Sequence, residues 1–227
     1  MTATTTVAHP IPPGRQARGE ARRQAMLEAA IHVFLEHGYA GASLDLVIAR
    51  SGGSRRTLYE QFGNKEGLFL RATETICERN VGHLSALDPD APDPEEALVA
   101  AGCAFLNALL TPEMMAGFRT IVGELMRFPT LAETFLRTGP ERAYAEVAAW
   151  LRHQSEAGVW TVPNPDIAAR QMVELFKGHL YIRALLRPDA PPTPEEIDRH
   201  VRQAIRTVLH GVTGQASESK EHPQNAA

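Results

Sequence analysis

The segment from Ser43 to Lys65 concentrates side chains that can recognise an anionic polymer. It reads SLDLVIARSGGSRRTLYEQFGNK, which predicts a short helix, a glycine turn and a second short helix. This spacing is typical of a helix-turn-helix, whose second helix enters the DNA major groove with its first turn at the base edges. The chemistry that these residues indicate is therefore hydrogen bonding to bases and phosphates.

Residue types in the second helix suit that task. Arg55 and Arg56 can each donate two hydrogen bonds to a guanine, and Thr57 can contact a thymine methyl group. Tyr59 lies one turn beyond Arg55, where its hydroxyl can reach a phosphate. Taken alone, the two arginines also fit a merely solvated helix face, with Arg56 paired to Glu60.

The segment is positioned by helices that the spacing of apolar residues predicts on either side of it. Apolar residues between 18 and 37 follow one helical stripe, and Gly38 stands where a helix ends. Ser43, Ser54 and Asn64 are predicted to cap the next three helices, while Leu58 and Phe62 face inward. Further helical patterns follow near 94–110, 112–127, 129–136, 140–157, 164–186 and 194–210. Because no period-two alternation occurs, the chain is predicted to be all-α.

Composition excludes several other classes. The net charge is −4, but nine basic and seven acidic residues lie between Arg15 and Glu74, which makes that part the expected anion-binding end. Neither Cys77 nor Cys103 has a metal-binding or redox motif, and each is predicted to be a small buried residue. Common catalytic and nucleotide-binding motifs are absent, so an enzyme, a cofactor and a metal are not expected. No secretory signal or membrane span is evident, so a cytoplasmic protein without membrane contact is expected.

The acidic loop 89–94 can be read in two ways. Its clustered aspartates suggest calcium, but its prolines spoil the spacing of a calcium-binding loop. We therefore predict an ordinary solvated connection between two helices.

Residues at fixed offsets around the helix-turn-helix resemble the DNA-binding domain of the TetR family of bacterial regulators. They are Gly38, Tyr39, Ser43, Ala49, Gly52, Ser54, Thr57, Leu58, Tyr59, Phe62, Asn64, Lys65, Glu66 and Leu68. The resemblance implies a three-helix DNA-binding domain over 18–72 and a larger helical ligand-binding and dimerisation domain over 73–212, with disordered tails at 1–17 and 213–227. It also implies a homodimer on double-stranded operator DNA. The implied DNA contacts are Ser43, Ser54, Arg55, Arg56, Thr57, Tyr59 and Lys65.

Two positions depart from the family pattern. Gly53 stands where an apolar residue usually packs the turn onto the core, and Ile48 stands where a small residue is common. We expect Gly53 to loosen the turn at a cost of about 1–2 kcal/mol, with Ile48 able to fill the space that is left.

Scattered apolar, glycine and proline positions over 118–210, among them Phe118, Phe128-Pro129, Gly139-Pro140 and Gly158, resemble the C-terminal domain of an AcrR/AefR-like branch of the same family. The branch implies an apolar pocket for a small-molecule effector, with candidate lining residues Phe105, Met114, Met115, Phe118, Phe128, Trp150 and Phe176. Candidate dimer residues are Leu175, Ile182, Leu185, Val201, Ile205 and Val208. The expected function is a repressor released from its operator by a small apolar or amphipathic molecule. The alternative is an activator, or a constitutive DNA-binding protein without a ligand.

Overall fold

The computed structural model describes residues 13–211, with side chains from Ala17 onward, and within that range it contains helices and no strands. The all-α prediction is thereby confirmed. The predicted C-terminal tail and residues 1–12 lie outside the described residues, whereas residues 13–17 of the predicted N-terminal tail are already helical. The helices are α1 (Pro13–Gly41), α2 (Leu44–Ser51), α3 (Arg55–Phe62), α4 (Lys65–Ser85), α5 (Pro94–Leu109), α6 (Pro112–Glu124), α7 (Pro129–Thr138), α8 (Pro140–Glu156), α9 (Pro165–Leu186) and α10 (Pro194–His210).

Local capping chemistry sets most of these boundaries. The hydroxyls of Ser43 and Ser54 accept hydrogen bonds from the third residue beyond them, which satisfies a free N–H in each first turn. Thr193 and Glu196 form a reciprocal capping box at the start of α10. A proline, whose missing N–H costs nothing in a first turn, opens α5, α7, α9 and α10.

Two glycines interrupt helices that run on beyond them. Gly38 has φ 66° inside α1, so the predicted end of the first helix is a kink followed by one more turn to Gly41. Gly178 has φ 40° and ψ −142° inside α9. The sequence predicted an unbroken helix there.

One compact unit comprises the described residues up to Arg79 together with Pro112–Pro140. Its core holds Met26, Val47, Leu58 and Phe62 from the first three helices. The ring of Tyr39 packs against Phe69 and Phe128, at centroid distances of 4.9 Å in both cases. Because Phe128 precedes α7, these ring contacts join α6 and α7 to the core under the helix-turn-helix.

The second unit comprises Asn80–Thr111 and the described residues from Glu141 onward. Phe176, Val201 and Ile205 are fully buried in it. Two side chains of α8 hold the acidic loop: Trp150 Nε1 donates to the carbonyl of Asp88 at 3.1 Å, and Gln154 Nε2 donates to that of Pro89 at 2.7 Å. These bonds fix a connection that was predicted only as solvated.

The two units divide the chain differently from the predicted domains. Helices α6 and α7 belong to the first unit, although the sequence pattern grouped everything from residue 73 to 212 together. The two domain functions assigned to 18–72 and 73–212 remain predictions.

Candidate DNA-binding face

The turn between α2 and α3 positions the candidate face. Gly52 adopts φ 68° and its N–H donates to the carbonyl of Ile48 at 3.0 Å, which ends α2. Ser54 then starts α3, whose Leu58 and Phe62 are buried. Because these two side chains face the core, Arg55 and Arg56 in the first turn of α3 remain exposed to solvent.

Gly53 is packed closely against a side chain of α1, so the expectation that it loosens the turn is corrected. A Cβ atom at residue 53 would lie 2.0 Å from the terminal methyl carbon of Met26, which is itself fully buried. The space that an apolar residue would fill next to the turn is thus occupied from α1. Ile48 is only half-buried against the same core.

Both predicted base-reading arginines are exposed and ion-paired. Arg55 donates to Asp45 of α2 through Nε at 3.0 Å and Nη2 at 2.6 Å, and these bonds raise the pKa of its guanidinium. Arg56 donates through Nε to Glu60 at 2.7 Å, as the i, i+4 spacing had suggested. Pairs this exposed add little to the stability of the fold.

The hydroxyl residues lie on the same exposed surface as the arginines. Ser54 Oγ and Thr57 Oγ1 are 2.9 Å apart, and Ser54 Oγ also accepts from the Thr57 N–H. Ser43 caps α2, with Oγ accepting from Leu46 N at 3.2 Å. Tyr59 is 51% exposed. Three of the seven predicted contacts therefore carry hydroxyl groups at the starts of α2 and α3, and Tyr59 adds a fourth hydroxyl from the middle of α3.

Lys65 lies at the start of α4 on the face of an aromatic ring. Its Nζ is 4.5 Å from the ring centroid of Tyr39 and 3.5 Å from the carbonyl oxygen of Ala40. Partial burial and the nearby charge of Arg127 lower the pKa of Lys65. The ring and the carbonyl hold the ammonium group in place, as a phosphate contact requires.

Asp45 is the residue of this face that sequence reasoning missed. An acidic residue in the first turn of a helix is ordinarily explained by the helix dipole, so its type and position gave no sign of a link to α3. The ten-residue separation from Arg55 spans a turn, and only the turn's geometry brings the two side chains together.

The predicted pocket residues are divided between the two units. Met114, Met115, Phe118 and Phe128 belong to the first unit, where Phe118 packs on Phe135 at 5.5 Å between centroids. Phe105, Trp150 and Phe176 belong to the second unit and are buried in it. Neither unit by itself brings all seven together, and the pocket remains a prediction.

The predicted dimer residues separate by exposure. On α9, Ile182 is 53% and Leu175 is 40% exposed, while Leu185 on the same helix and Val208 on α10 are half-buried. Val201 and Ile205 were predicted wrongly, because both are fully buried in the second unit's own core and have no surface to offer a partner. Ile167 and Leu186 add further exposed apolar surface to α9.

Other chemistry is sparse among residues 13–211. Within that range no group of three or more His, Cys, Asp or Glu side chains is arranged to hold a metal ion. Burial raises the pKa of the thiols of Cys77 and Cys103 to about 11, so both are neutral at pH 7. No single described helix is long and apolar enough to cross a membrane, and only α5 and α6 taken together as a bent pair meet that criterion.

Two family profiles match the chain. Residues 26–72 match the profile described as bacterial regulatory proteins, tetR family, and residues 96–211 match the AefR-like transcriptional repressor, C-terminal domain. The first match contains α2, α3 and the Tyr39–Lys65 contact. The second extends from α5 to the end of α10.

Relatives and solved structures agree with these matches. The HTH-type transcriptional repressor SCO4008 of Streptomyces coelicolor is 30% identical over 150 residues, which is 65% of this chain and 73% of that protein. The Flavonoid-responsive Regulator FrrA has a TM-score of 0.68 and 29% identity, covering 84% of this chain and 96% of that one. A TetR-family regulator from Mesorhizobium loti has a TM-score of 0.79 at 21% identity, covering 85% and 96%, and supports the fold alone.

Proposed function

The chain belongs to the TetR family of bacterial transcriptional regulators, and from that premise we propose a cytoplasmic, homodimeric repressor that a small molecule releases from its operator. The observation that carries the DNA-binding part is the exposed first turn of α3. Arg55 and Arg56 project from a helix that Leu58 and Phe62 anchor in the core. Such a helix can enter a major groove without unfolding anything beneath it.

The proposed contacts divide into two kinds. Arg55, Arg56 and Thr57 read base edges, because they occupy the turn that reaches deepest into the groove. Ser43, Ser54, Tyr59 and Lys65 bind phosphates, which fixes the register of α3 but carries no sequence information.

The dimer is proposed to form through the exposed apolar residues of α9. Ile167 and Leu175 lie eight residues apart before the break at Gly178, and Ile182 and Leu186 lie four residues apart after it, so each pair is expected on one side of its helical segment. A two-fold interface through this stripe would cover all four in both protomers. The two copies of α3 should then stand about 34–36 Å apart, one helical turn of DNA.

The proposed effector is an apolar or amphipathic small molecule. The AefR-like profile over the C-terminal half supports an effector-binding role, and the similarity to a regulator named flavonoid-responsive makes planar aromatic phenols the first compounds to test. Release is proposed to act through α4, which carries Lys65 at its start and extends to Ser85. By linkage, DNA must weaken effector binding by the same factor that the effector weakens DNA binding.

Binding of the full chain to its own upstream intergenic DNA tests the proposal, by gel shift at fixed salt with unrelated competitor. We expect a discrete complex that survives competitor and dissociates when an effector from the phenol series is added. Arg55→Ala should cost about 1–3 kcal/mol on the cognate site if this arginine reads a base. A complex that competitor removes completely would count against sequence-specific binding, and equal effector affinity with and without operator would count against release.

A further inference from the structure

A carboxylate on the neighbouring helix holds Arg55 by two parallel hydrogen bonds. Asp45 Oδ1 accepts from Nε at 3.0 Å and Oδ2 accepts from Nη2 at 2.6 Å. Arg56 differs, since among the described residues it pairs with Glu60 on its own helix, through a single hydrogen bond from Nε. One arginine is therefore held across the α2–α3 turn and the other is not.

The donors left over on Arg55 have a definite geometry. A guanidinium group carries five N–H donors, and the two bonds to Asp45 use the one on Nε and one on Nη2. Both donors on Nη1 and one on Nη2 remain, and one donor from each of these two nitrogens forms the end-on edge next to the one that Asp45 occupies. That edge is the fork that matches O6 and N7 of guanine in the major groove.

We propose that Asp45 is a specificity-determining positioning residue, which aims the free fork of Arg55 at one guanine in each operator half-site. This inference rests on the proposed function, because it presumes that α3 enters the major groove. Asp45 touches no base in this arrangement. It acts by reducing the number of conformations that Arg55 must lose when it binds.

A purely stabilising role accounts for the pair less well. The side chains of Arg55 and Asp45 are 68% and 64% exposed, and ion pairs this exposed contribute little to folding. The helix dipole accounts for an acid in the first turn of α2, but not for its two-bond contact with a residue of α3. A carboxylate on a DNA-facing surface also repels phosphates, so placing one there favours selectivity over affinity.

The test compares full-length wild type with Asp45→Asn on DNA. The preferred half-site of the wild type is first selected from a randomised duplex library, and affinities are then measured for all four base pairs at each position. In Asp45→Asn we expect the preference for guanine to fall roughly 2- to 10-fold at one position per half-site. This range corresponds to the free-energy cost of immobilising one long side chain at an interface, which Arg55 would then pay when it binds. Affinity for unrelated DNA should stay equal or rise, because the substitution removes a negative charge.

Two further variants identify the cause. Glu60→Gln removes a carboxylate from α3 and leaves the Asp45–Arg55 pair intact, so it should not change the preference at that position. Arg55→Lys keeps the charge but loses the fork, so it should abolish the same preference. Adding Asp45→Asn to Arg55→Lys should then produce no further loss of preference.

Each preference is a ratio measured within one preparation, so partial unfolding of a variant does not alter it. An unchanged preference in Asp45→Asn, or an equal loss of affinity for every sequence, would overturn the inference while leaving the proposed function standing. A wild type that selects no sequence at all would overturn the proposed function, and the inference with it.

Discussion

Helices α3 and α9 each bury one side and expose the other, but they expose opposite kinds of surface. The exposed side of α3 carries Arg55, Arg56 and Tyr59, all polar at their tips. The exposed side of α9 carries a row of large aliphatic residues that includes Leu175 and Ile182. Charged tips suit a hydrated, anionic partner, whereas aliphatic side chains gain most from leaving water. The comparison indicates DNA at one helix and a second copy of the protein at the other.

The comparison first depends on α3 being held rigidly by its anchors. Leu58 is fully buried, so Leu58→Ala should lower the free energy of unfolding by about 2–5 kcal/mol through lost packing and a cavity. Denaturant unfolding followed by circular dichroism measures this loss, and the gel shift should show weakened DNA binding in parallel. Leu46→Ala is the matched control, because Leu46 on α2 is 42% exposed. Equal losses in both variants would contradict the assignment of Leu58 as an anchor.

The second test concerns the apolar face of α9. Ile182→Glu would put a charge into the proposed interface and should weaken dimerisation by about 2–4 kcal/mol, the range of an interfacial hot spot. Sedimentation equilibrium or light scattering across protein concentration measures the change. Val159→Glu alters an apolar residue of similar exposure after α8, outside the stripe, and should leave the dimer intact. If only Val159→Glu dissociates the dimer, the interface lies elsewhere.

The third test concerns the break in α9, which lies between the exposed residues Leu175 and Ile182. Gly178 has φ 40°, and a Cβ there would lie 2.9 Å from both Cε1 and Nε2 of His200. The Nε2–H of His200 donates to the carbonyl of Leu175 at 2.9 Å, so the ring is not free to withdraw. Gly178→Ala should therefore lower the free energy of unfolding by about 1–3 kcal/mol.

Gly82 offers a matched control within a regular helix. A Cβ at Gly82 meets nothing within 4 Å, so Gly82→Ala should stabilise α4 by roughly 0.5–1 kcal/mol. Urea unfolding of the two variants should give changes of opposite sign. Two stabilising substitutions would show that the break in α9 is not required by the fold.

The sequence predicted most helix boundaries because capping is local. Ser54 and Thr193 bond to groups three residues away, and prolines act on their own first turn. The sequence did not predict that Met26 fills the space beside Gly53, since that contact joins residues whose proximity depends on how α1 packs. The pairing of Asp45 with Arg55 was missed for the same reason.

The apolar residues of the second unit show a different limit. A core and a dimer interface both require large apolar side chains, so the pattern alone could not separate Val201, which is buried in the protomer, from Ile182, which is exposed. The exposure of the candidate DNA-binding face was easier to predict, because charged residues at a helix start have few uses inside a protein.

The last test concerns the division between base and phosphate contacts on the first unit. Lys65→Ala should weaken binding to cognate and unrelated DNA alike, by about 1 kcal/mol, the size of one solvent-exposed charge contact. The slope of log affinity against log salt should fall by about one unit, because one fewer counterion is released. Lys177→Ala removes the charge of a lysine in the second unit and should change neither quantity.

The lowered pKa of Lys65 adds a second signature to the same variant. Partial burial beside Tyr39 makes the ammonium group lose its proton at a lower pH than an ordinary lysine. As pH rises through that lowered pKa, the wild type should lose the uniform part of its DNA affinity, whereas Lys65→Ala should show no such step. A loss confined to the cognate sequence would show that Lys65 contacts a base and not a phosphate. Base reading would then not be limited to α3 but would include the start of α4.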